Sequence, residues 1–388
     1  MYTKRILIVC IGLFLVLATQ AQSDPATEAE VRSLNLYNSS DWNTLLKYGK
    51  ERISSGIDFP LLRMRVGYAA FMQKNYSQSL VHYQKVLKDD PTNGIALYYV
   101  YLDNLYLNNL NEARYYAALL PGETKEKLKI GKIKVSSLQM EYSYKIPTST
   151  FRKNAQYARL GLNIQPGYRL ELQQSVAIYN QRINESAFTG VLNNQDINIQ
   201  QKEYYGKLLF APAGNILLKG GFHYLHTPYN NLVYNSNIIF GGIKYTTPYV
   251  HLEVMANFST FANISFNQYD GSVSIFPLGN TKLYSITRGA YGDDFTLSQI
   301  IGYGVLEKLW LEGNITLGKF NNLFENDALY VYNDIDRKLF KAGSSVYTSL
   351  SDNVLLTINY TFEQKLKYGT SNNNFYQHSI NGGLTWKF

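Results

Sequence analysis

Cysteine is almost absent from this chain. Its single cysteine among 388 residues, Cys10, lies in the amino-terminal apolar segment, which excludes disulfide and thiol chemistry from a mature protein that has lost that segment. Phosphate-binding loops, dinucleotide fingerprints and a nucleophile elbow are also missing. The formal charge of +8 is spread without a Lys/Arg cluster, so nothing indicates a nucleic-acid partner. We therefore expect no cofactor and no nucleic-acid site.

Long hydrophobic runs are also scarce, and the only one stands at the amino terminus. Lys4 and Arg5 precede an apolar run from Ile6 to Ala18, and small residues follow at Thr19 and Ala21. This order is typical of a secretory signal, so residues 1–21 are predicted to be removed. The alternative, an uncleaved anchor helix, would need roughly 20 apolar residues, which is longer than this run.

Aromatic residues, in contrast, are abundant. The chain has 34 tyrosines and 19 phenylalanines, yet only 45% of its residues are hydrophobic. Aromatic girdles combined with strands that alternate between polar and apolar side chains would produce this composition. It favours a membrane β-barrel over a soluble enzyme or a bundle of membrane helices.

Residues 22–130 have a helical pattern with a repeat. The middle of this region resembles a tetratricopeptide repeat, which is carried by Gly67, Tyr76, Ser79, Tyr83 and Pro91. A 34-residue period extends the match weakly to both sides and predicts helix pairs at 25–56, 59–90 and 92–128. The resemblance implies a concave groove that docks a periplasmic protein or peptide; the alternative is a helical domain that only packs against the barrel.

Residues 131–388 are predicted to form an antiparallel transmembrane β-barrel of 14 strands, with 12 as the alternative. The fold class is thus α plus membrane β, with helical repeats first. Short turns alternate with longer polar loops, among them 321–336, as in outer-membrane barrels. The strands are expected at 133–145, 155–165, 168–181, 196–210, 215–226, 233–245, 248–261, 270–278, 281–291, 295–306, 309–319, 337–350, 353–366 and 375–388.

The last strand alternates apolar and polar residues and ends on an aromatic carboxy-terminus. With Leu384, Trp386 and Phe388 on one face, it resembles the closing strand that the barrel assembly machinery reads in bacterial outer-membrane proteins. The same period of two places Leu252 and Ile358 towards lipid and their charged neighbours inwards. A charge facing lipid at mid-membrane would cost about 2–4 kcal/mol, which makes the inward placement a requirement.

The inward face supplies the candidate functional residues. Side chains predicted to line a lumen are Lys219, His223, Thr357, Asn359 and Lys387. They would form a path whose tyrosines stack on sugar rings, or they would only hydrate the lumen. In a competing arrangement the lumen is plugged by side chains or by an infolded loop such as 321–336.

No catalytic or metal site is predicted. His82 is assigned to the repeat surface, and His223, His226, His251 and His378 have no close metal-ligand spacing. His378 and Ser379 are adjacent in a strand, so they face opposite sides and cannot form a dyad. The acidic pairs Asp293 with Asp294 and Asp334 with Asp336 are interpreted as solvated loop residues, with a bound cation as the alternative.

The order of signal, short repeat array and aromatic-ended barrel resembles the YaiO-like outer-membrane proteins and, more distantly, the repeat-plus-barrel exporters of exopolysaccharides, in a Bacteroidetes-like form. The resemblance implies a barrel in the outer-membrane lipid and a helical module in the periplasm. The leading hypothesis is a conduit whose repeats dock a partner, with a polysaccharide as the cargo. The alternatives are a non-conducting scaffold or assembly protein with a plugged barrel, and a barrel-wall enzyme that modifies lipid or glycan.

Overall fold

The computed structural model describes residues 24–128, 130–131, 134–184, 196–229, 232–261, 264–370 and 372–388. The predicted signal, residues 1–21, lies outside this part of the chain. The chain divides into two compact units, one that ends at Asp103 and one that runs from Asn104 to Phe388. Each unit is considered by itself.

Helices form the first unit where the repeat pattern predicts them. α1 (Pro25–Asn38), α2 (Trp42–Ser54), α3 (Pro60–Met72) and α4 (Tyr76–Asp89) are followed by α5 (Gly94–Tyr106). Side chains of Asp24, Asp41 and Asn75 accept hydrogen bonds from the first free backbone N–H groups of α1, α2 and α4, which explains where these helices begin. No helix in the described ranges is long and apolar enough to cross a membrane.

The repeat motif has a packing role in this unit. Ser79 and Tyr83 are buried on α4, and a side-chain carbon at Gly67 of α3 would lie 2.9 Å from the Tyr83 ring. Gly67 therefore permits the close approach of α3 and α4 that buries this face. Tyr83 also stacks on Tyr99 of α5, with ring centroids 4.8 Å apart.

Two titratable residues are buried among these helices. Asp103 is fully buried, and the loss of solvent raises the pKa of its carboxyl well above the usual value, an effect that the Ser79 hydroxyl opposes. His82 is also buried, 3.2 Å from an Arg63 nitrogen, and burial together with the Arg63 charge lowers its pKa to about 4. The assignment of His82 to the repeat surface is therefore wrong, because its imidazole lies between helices.

The second unit is a closed barrel preceded by two helices, α6 (Leu110–Leu119) and α7 (Gly122–Lys127). Fourteen antiparallel strands follow in sequence order, and β1 pairs with β14 from Ser137↔Lys387 to Pro147↔Gln377 to close the sheet. The predicted count of 14 is confirmed. The strands are β1 (Lys134–Pro147), β2 (Arg152–Gly167), β3 (Leu170–Asn184), β4 (Asp196–Ala213), β5 (Ile216–Tyr229), β6 (Leu232–Thr246), β7 (Val250–Phe261), β8 (Ile264–Ile275), β9 (Leu283–Tyr291), β10 (Phe295–Leu306), β11 (Leu309–Glu325), β12 (Tyr330–Ser349), β13 (Val354–Leu366) and β14 (Asn374–Lys387).

The two ends of the barrel differ. We call the end where β1 begins and β14 finishes the terminal mouth, and the opposite end the loop mouth. Most turns at the terminal mouth are short, such as residues 168–169 and 307–308. The period-2 alternation determines which side chains face out, since Val254, Phe258 and Ile358 are exposed on the outer wall while His251 and Asn257 are buried inside.

An apolar belt covers the outer wall. Large exposed side chains recur on strands all around the barrel, and aromatic residues stand near both mouths, including Tyr376 near the loop mouth and Trp386 and Phe388 at the terminal mouth. A sheet closed without edges and covered by such a belt satisfies every backbone group within a bilayer, which an open sheet cannot do.

Two segments differ from the sequence prediction. β8 begins at Ile264, six residues earlier than predicted at residue 270. The segment 321–336 is not a long loop as predicted: β11 continues to Glu325, β12 starts at Tyr330, and a four-residue turn joins them. Its infolding into the lumen, which the competing arrangement predicts, is found in the structure. These strand extensions do not prolong the barrel wall, because the hairpin that they form turns into the lumen.

Candidate functional site: the lumen and its inward hairpin

A bend in β11 directs the chain inwards. Gly318 has φ +125°, and a side-chain carbon there would lie 2.6 Å from the carbonyl oxygen of Phe295 on β10. Only glycine fits this backbone conformation and close approach. The β11 and β12 pairing shifts register on both sides of Phe320, and residues 319–337 beyond the bend form what we call the inward hairpin.

Contacts with distant strands prove that this hairpin lies inside the barrel. Its tip residue Asp327 accepts hydrogen bonds from the ammonium group of Lys207 on β4 at 2.9 Å and from that of Lys219 on β5 at 3.2 Å. On the other side, the Tyr330 hydroxyl donates to Glu141 of β1 at 2.8 Å. A single hairpin reaches β1, β4 and β5 together only from within the lumen.

The tip has an unusual backbone. Asn326, Asp327 and Ala328 all have positive φ, between 52° and 57°, a left-handed conformation that costs roughly 1–2 kcal/mol for an ordinary residue. The surroundings compensate: the Tyr205 hydroxyl donates to the Asp327 carbonyl at 3.0 Å, and His223 Nδ1 donates to the Ala328 carbonyl at 2.8 Å. The barrel wall thus holds the tip in a shape that it would not adopt alone.

An apolar anchor fixes the hairpin above its tip. Phe324 is 1% exposed and packs against the rings of Phe261 and Phe266, with centroids 5.9 and 5.3 Å away. The Gln268 amide on β8 replaces a strand partner, since its Oε1 accepts from the Phe324 N–H at 2.9 Å and its Nε2 donates to the Phe324 carbonyl at 3.0 Å. The buried backbone of the hairpin is thereby satisfied.

Ion pairs secure the base of the hairpin at the loop mouth. The Arg152 guanidinium donates to both oxygens of Asp336, at 2.7 and 3.1 Å, and both side chains are buried. Asp334 accepts from Lys338 and, at 3.0 Å, from Lys365 of β13. The carboxylates of the hairpin therefore lie against basic groups of the wall. The Arg152–Asp336 pair has the bidentate geometry that makes Arg–carboxylate pairs strong.

A cavity of about 730 Å³ lies in the lumen around the hairpin tip. Asp327 and the rings of Tyr330 and Tyr332 form its hairpin side, and Lys207, Lys219 and Tyr347 belong to its wall. The remaining lining combines hydroxyl and amide side chains with charged groups such as Glu141, Arg159 and Glu312 and with apolar residues such as Ile286 and Ile300. The hydroxyl and amide residues include Ser272, Ser298, Asn314, Thr357, Asn359 and Asn381. The cavity is hydrophilic and is closed towards the loop mouth by the hairpin.

Helix α6 packs on the inner wall at the terminal mouth. Its Tyr115 covers an apolar patch formed by Leu209, Ala211 and Leu217. Arg114 forms an ion pair with Glu171 of β3, and Glu112 accepts the Thr246 hydroxyl of β6 at 2.7 Å. The lumen is thus narrowed at the terminal mouth by a helix and filled on the loop side by the hairpin.

The predicted lumen residues are brought together in part. Thr357 and Asn359 line the cavity, Lys219 and His223 contact the hairpin tip, and the Asn359 amide bonds to Ser345 at 2.7 Å. Lys387 pairs with Ser137 at the terminal mouth, where its side chain is exposed and does not line the cavity. Their participation in transport stays a prediction.

The other candidate polar residues have structural contacts. His226 and His378 lie on the outer face, bonded to Asn235 and Tyr360. Asp294 pairs with Arg337 near the loop mouth, which agrees with an exposed position. For Asp334 and Asp336 the interpretation as solvated loop residues is wrong, because both lie in β12 and bind cationic side chains.

Sequence reasoning did not identify the residues that hold the hairpin, namely Lys207, Gln268, Phe324 and Asp327. A weak signal existed, since the segment predicted as a loop contains the apolar residues Leu323 and Phe324 and the run of residues 328–332, which a solvated loop does not need. Its contact partners on other strands lie up to 189 residues away in sequence, so no local pattern could pair them.

No protein-family profile matches the sequence, and no curated protein matches it. Among solved structures, a Pseudomonas aeruginosa FadL homologue is 10% identical with a TM-score of 0.42, covering 70% of this chain and 92% of its own. The Pseudomonas putida toluene transporter TodX is 6% identical (TM-score 0.43, 65% and 89%), and the Acinetobacter baumannii outer membrane protein Omp33 is 7% identical (TM-score 0.40, 66% and 99%). Likeness at this level concerns the fold alone.

The closed barrel and its apolar belt have the architecture of outer-membrane proteins. Strands of this kind cross a bilayer only in closed form, and charged groups are kept on the inner wall. The protein is an outer-membrane β-barrel with a hydrophilic lumen.

Proposed function

We propose that the protein is an outer-membrane conduit that the inward hairpin closes in the state described here. The observation that carries this proposal is the hydrophilic cavity beneath the hairpin tip. A barrel that served only as a scaffold would have no use for a cavity lined by hydroxyls, amides and charges. Beside the apolar anchor at Phe324, the hairpin tip and base are held by ion pairs and hydrogen bonds, whose groups exchange for water when the hairpin leaves.

Planar-bilayer recording tests the conduit directly. Removing residues 320–337 and joining the strands through a short Gly-Ser turn should convert rare openings of the wild-type protein into a steady conductance. A matched control replaces the exposed turn of residues 350–353 at the terminal mouth with a Gly-Ser turn, which should leave the wild-type behaviour unchanged. A folded hairpin-free barrel that remains silent would overturn the conduit and favour the non-conducting scaffold.

The scaffold is the second candidate, because the hairpin and α6 occupy opposite ends of the lumen. The two candidates differ in one measurable respect. A scaffold stays closed when the hairpin alone is removed, because its lumen has no continuous path past α6. A conduit opens, because α6 then only narrows the terminal mouth.

A glycan is the cargo that we propose. Hydroxyl and amide groups line the cavity together with the rings of Tyr330, Tyr332 and Tyr347, and sugars bind to such surfaces by hydrogen bonding and stacking. Liposomes that contain the hairpin-free barrel should swell in isosmotic disaccharide solutions. Swelling that is no faster than with empty liposomes would contradict the glycan assignment.

The helical module and the terminal strand supply the proposed partners. By its resemblance to tetratricopeptide repeats and to YaiO-like proteins, we assign the module to the periplasm, where it would dock a protein or peptide. Leu384, Trp386 and Phe388 would be read by the barrel assembly machinery. Crosslinking in intact cells tests the first assignment, and removal of Phe388 tests the second through the yield of assembled barrel.

We further propose that the barrel wall has no catalytic role. His378 and Ser379 face opposite sides of β14, as His378 bonds to Tyr360 on the outer face and Ser379 is buried. Lipase or deacylase activity of the folded barrel would overturn this proposal.

A further inference from the structure

The site that receives the hairpin tip is itself a small anion-binding site. Lys207 and Lys219 direct their ammonium groups at one carboxylate, that of Asp327, at 2.9 and 3.2 Å. Lys219 also binds Glu253 at 2.8 Å. All four side chains line the lumen cavity, so a solute in the cavity reaches the same ammonium groups.

The charge balance of this site depends on the hairpin. With the tip in place, two lysines face two carboxylates and the set is neutral. When the tip leaves, Glu253 remains beside Lys219, and Lys207 retains no other ion pair recorded among the described residues. The vacated site therefore has one uncompensated positive charge in a partly buried position, where a charge without a partner is unfavourable.

We propose that the Asp327 carboxylate occupies the binding site of a cargo carboxylate, so that a monoanionic solute such as a uronic acid competes with the hairpin tip and opens the barrel. This inference rests on the proposed conduit and specifies which sugars it would admit. At the site formed by Lys207, Lys219 and Glu253, a single negative charge on the solute takes the place of the Asp327 carboxylate.

Geometry supports a carboxylate as the ligand. The two lysines approach the same oxygen of Asp327, Oδ2, at 2.9 and 3.2 Å, and Lys219 also reaches Oδ1 at 3.2 Å. The adjoining cavity of about 730 Å³ lies within the ~300–1,000 Å³ of ordinary small-molecule sites, so a sugar acid fits beside the tip before displacing it.

The strained tip makes the exchange reversible. Three successive residues with positive φ are held by the wall, and the hydrogen bonds from Tyr205 and His223 hold backbone carbonyls of the tip. A ligand that takes over the two lysines removes the ionic part of this support, and the tip then relaxes to an ordinary turn.

Bilayer recordings with the full chain test the competition. D-glucuronate, added on both sides, should raise the open probability of the wild type, and D-glucose should not. Asp327→Asn, which keeps a residue tolerant of positive φ, should raise the open probability at least about tenfold without ligand, since a hydrogen bond to charged groups is lost. The matched control Asp352→Asn removes the carboxylate of an exposed pair with Lys308 at a terminal turn and should behave as the wild type.

Binding is measured separately by isothermal titration calorimetry. Glucuronate should bind saturably to Asp327→Asn, and a second substitution, Lys207→Met, should abolish that binding. If Asp327→Asn conducts but binds no glucuronate, the anion site is wrong and the conduit stands. If this variant binds glucuronate but is silent, the conduit and the gating are wrong; equal binding of inorganic phosphate would refute the preference for a carboxylate.

Discussion

Phe324→Ala is the sharpest test of the inward hairpin, because Phe324 anchors the hairpin and takes no part in the barrel wall. The side chain is 1% exposed and lies among the rings of Phe261 and Phe266. Truncation of a buried phenylalanine typically costs ~3–5 kcal/mol. When the hairpin is released from the lumen, residue 324 is exposed to water in the wild type and in the variant alike. Nearly all of this cost therefore destabilises the state in which the hairpin is bound in the lumen.

The shift in the hairpin equilibrium follows from this figure. At about 1.4 kcal/mol per factor of ten, the released fraction should increase roughly a hundredfold to a few thousandfold. Barrel stability should hardly change, since the strand pairs of β1 to β14 outside the hairpin are untouched. The variant barrel should therefore remain folded, while its hairpin leaves the lumen more often than in the wild type.

Hydrogen exchange followed by mass spectrometry measures this opening. Amides in residues 320–332 should exchange faster in Phe324→Ala by the same factor, while amides of β5 and β14 keep wild-type protection. The matched control is Phe258→Ala, which removes the same atoms from a side chain that is 50% exposed on the outer wall. Equal exchange of the hairpin in the two variants would refute the reasoning, because Phe324 would then contribute nothing to its seating.

Three further predictions concern buried groups. Gly67→Ala should destabilise the helical module by about 1–3 kcal/mol, since the added carbon meets Tyr83; an unchanged melt of the 222 nm circular dichroism signal would contradict this. Asp103→Asn should stabilise the module at pH 7, and this gain in the free energy of unfolding should shrink as the pH falls towards 4. The reason is that Asp103 has a higher pKa in the folded than in the unfolded module, so its carboxyl group destabilises the module increasingly as the pH rises above the unfolded pKa. A gain that grows in acid would contradict this. Arg152→Met should loosen the hairpin base by ~3–5 kcal/mol, measured by exchange of residues 332–338, and Asp336→Leu in the same chain should restore most of the protection, so an equally loose double variant would show that the ion pair is not the cause.

The sequence alone was sufficient to predict the architecture of both units. Each strand of the wall separates lipid from water, and the resulting alternation, as in β7 and β13, is visible residue by residue. The strand count followed because every turn interrupts that alternation. The helices α1 to α4 were predictable for a similar reason, since the capping residues Asp41 and Asn75 and the small residue Gly67 act on near neighbours.

The candidate site was predictable only in its lining. Thr357 and Asn359 were identified because side chains alternate along a strand, so once the apolar residues are assigned to the outer face their neighbours must face inwards. The two misjudged acidic residues, Asp334 and Asp336, have the composition of a solvated loop. Their ion pairs with Lys365 and Arg152 depend on distant parts of the chain.

The local sequence determined which side chains of each strand face lipid and which face water. The free energy of placing a side chain in lipid or in water depends mainly on that side chain, so it can be read residue by residue. Whether residues 319–337 extend outwards or fold into the lumen was decided only by the tertiary structure. Both places are aqueous, so the polar pattern of the segment suits either. The hairpin turns inwards because Gly318 permits the bend and because closure of the barrel brings Lys207, Lys219, Gln268 and Arg152 to positions where they meet its carboxylates and backbone.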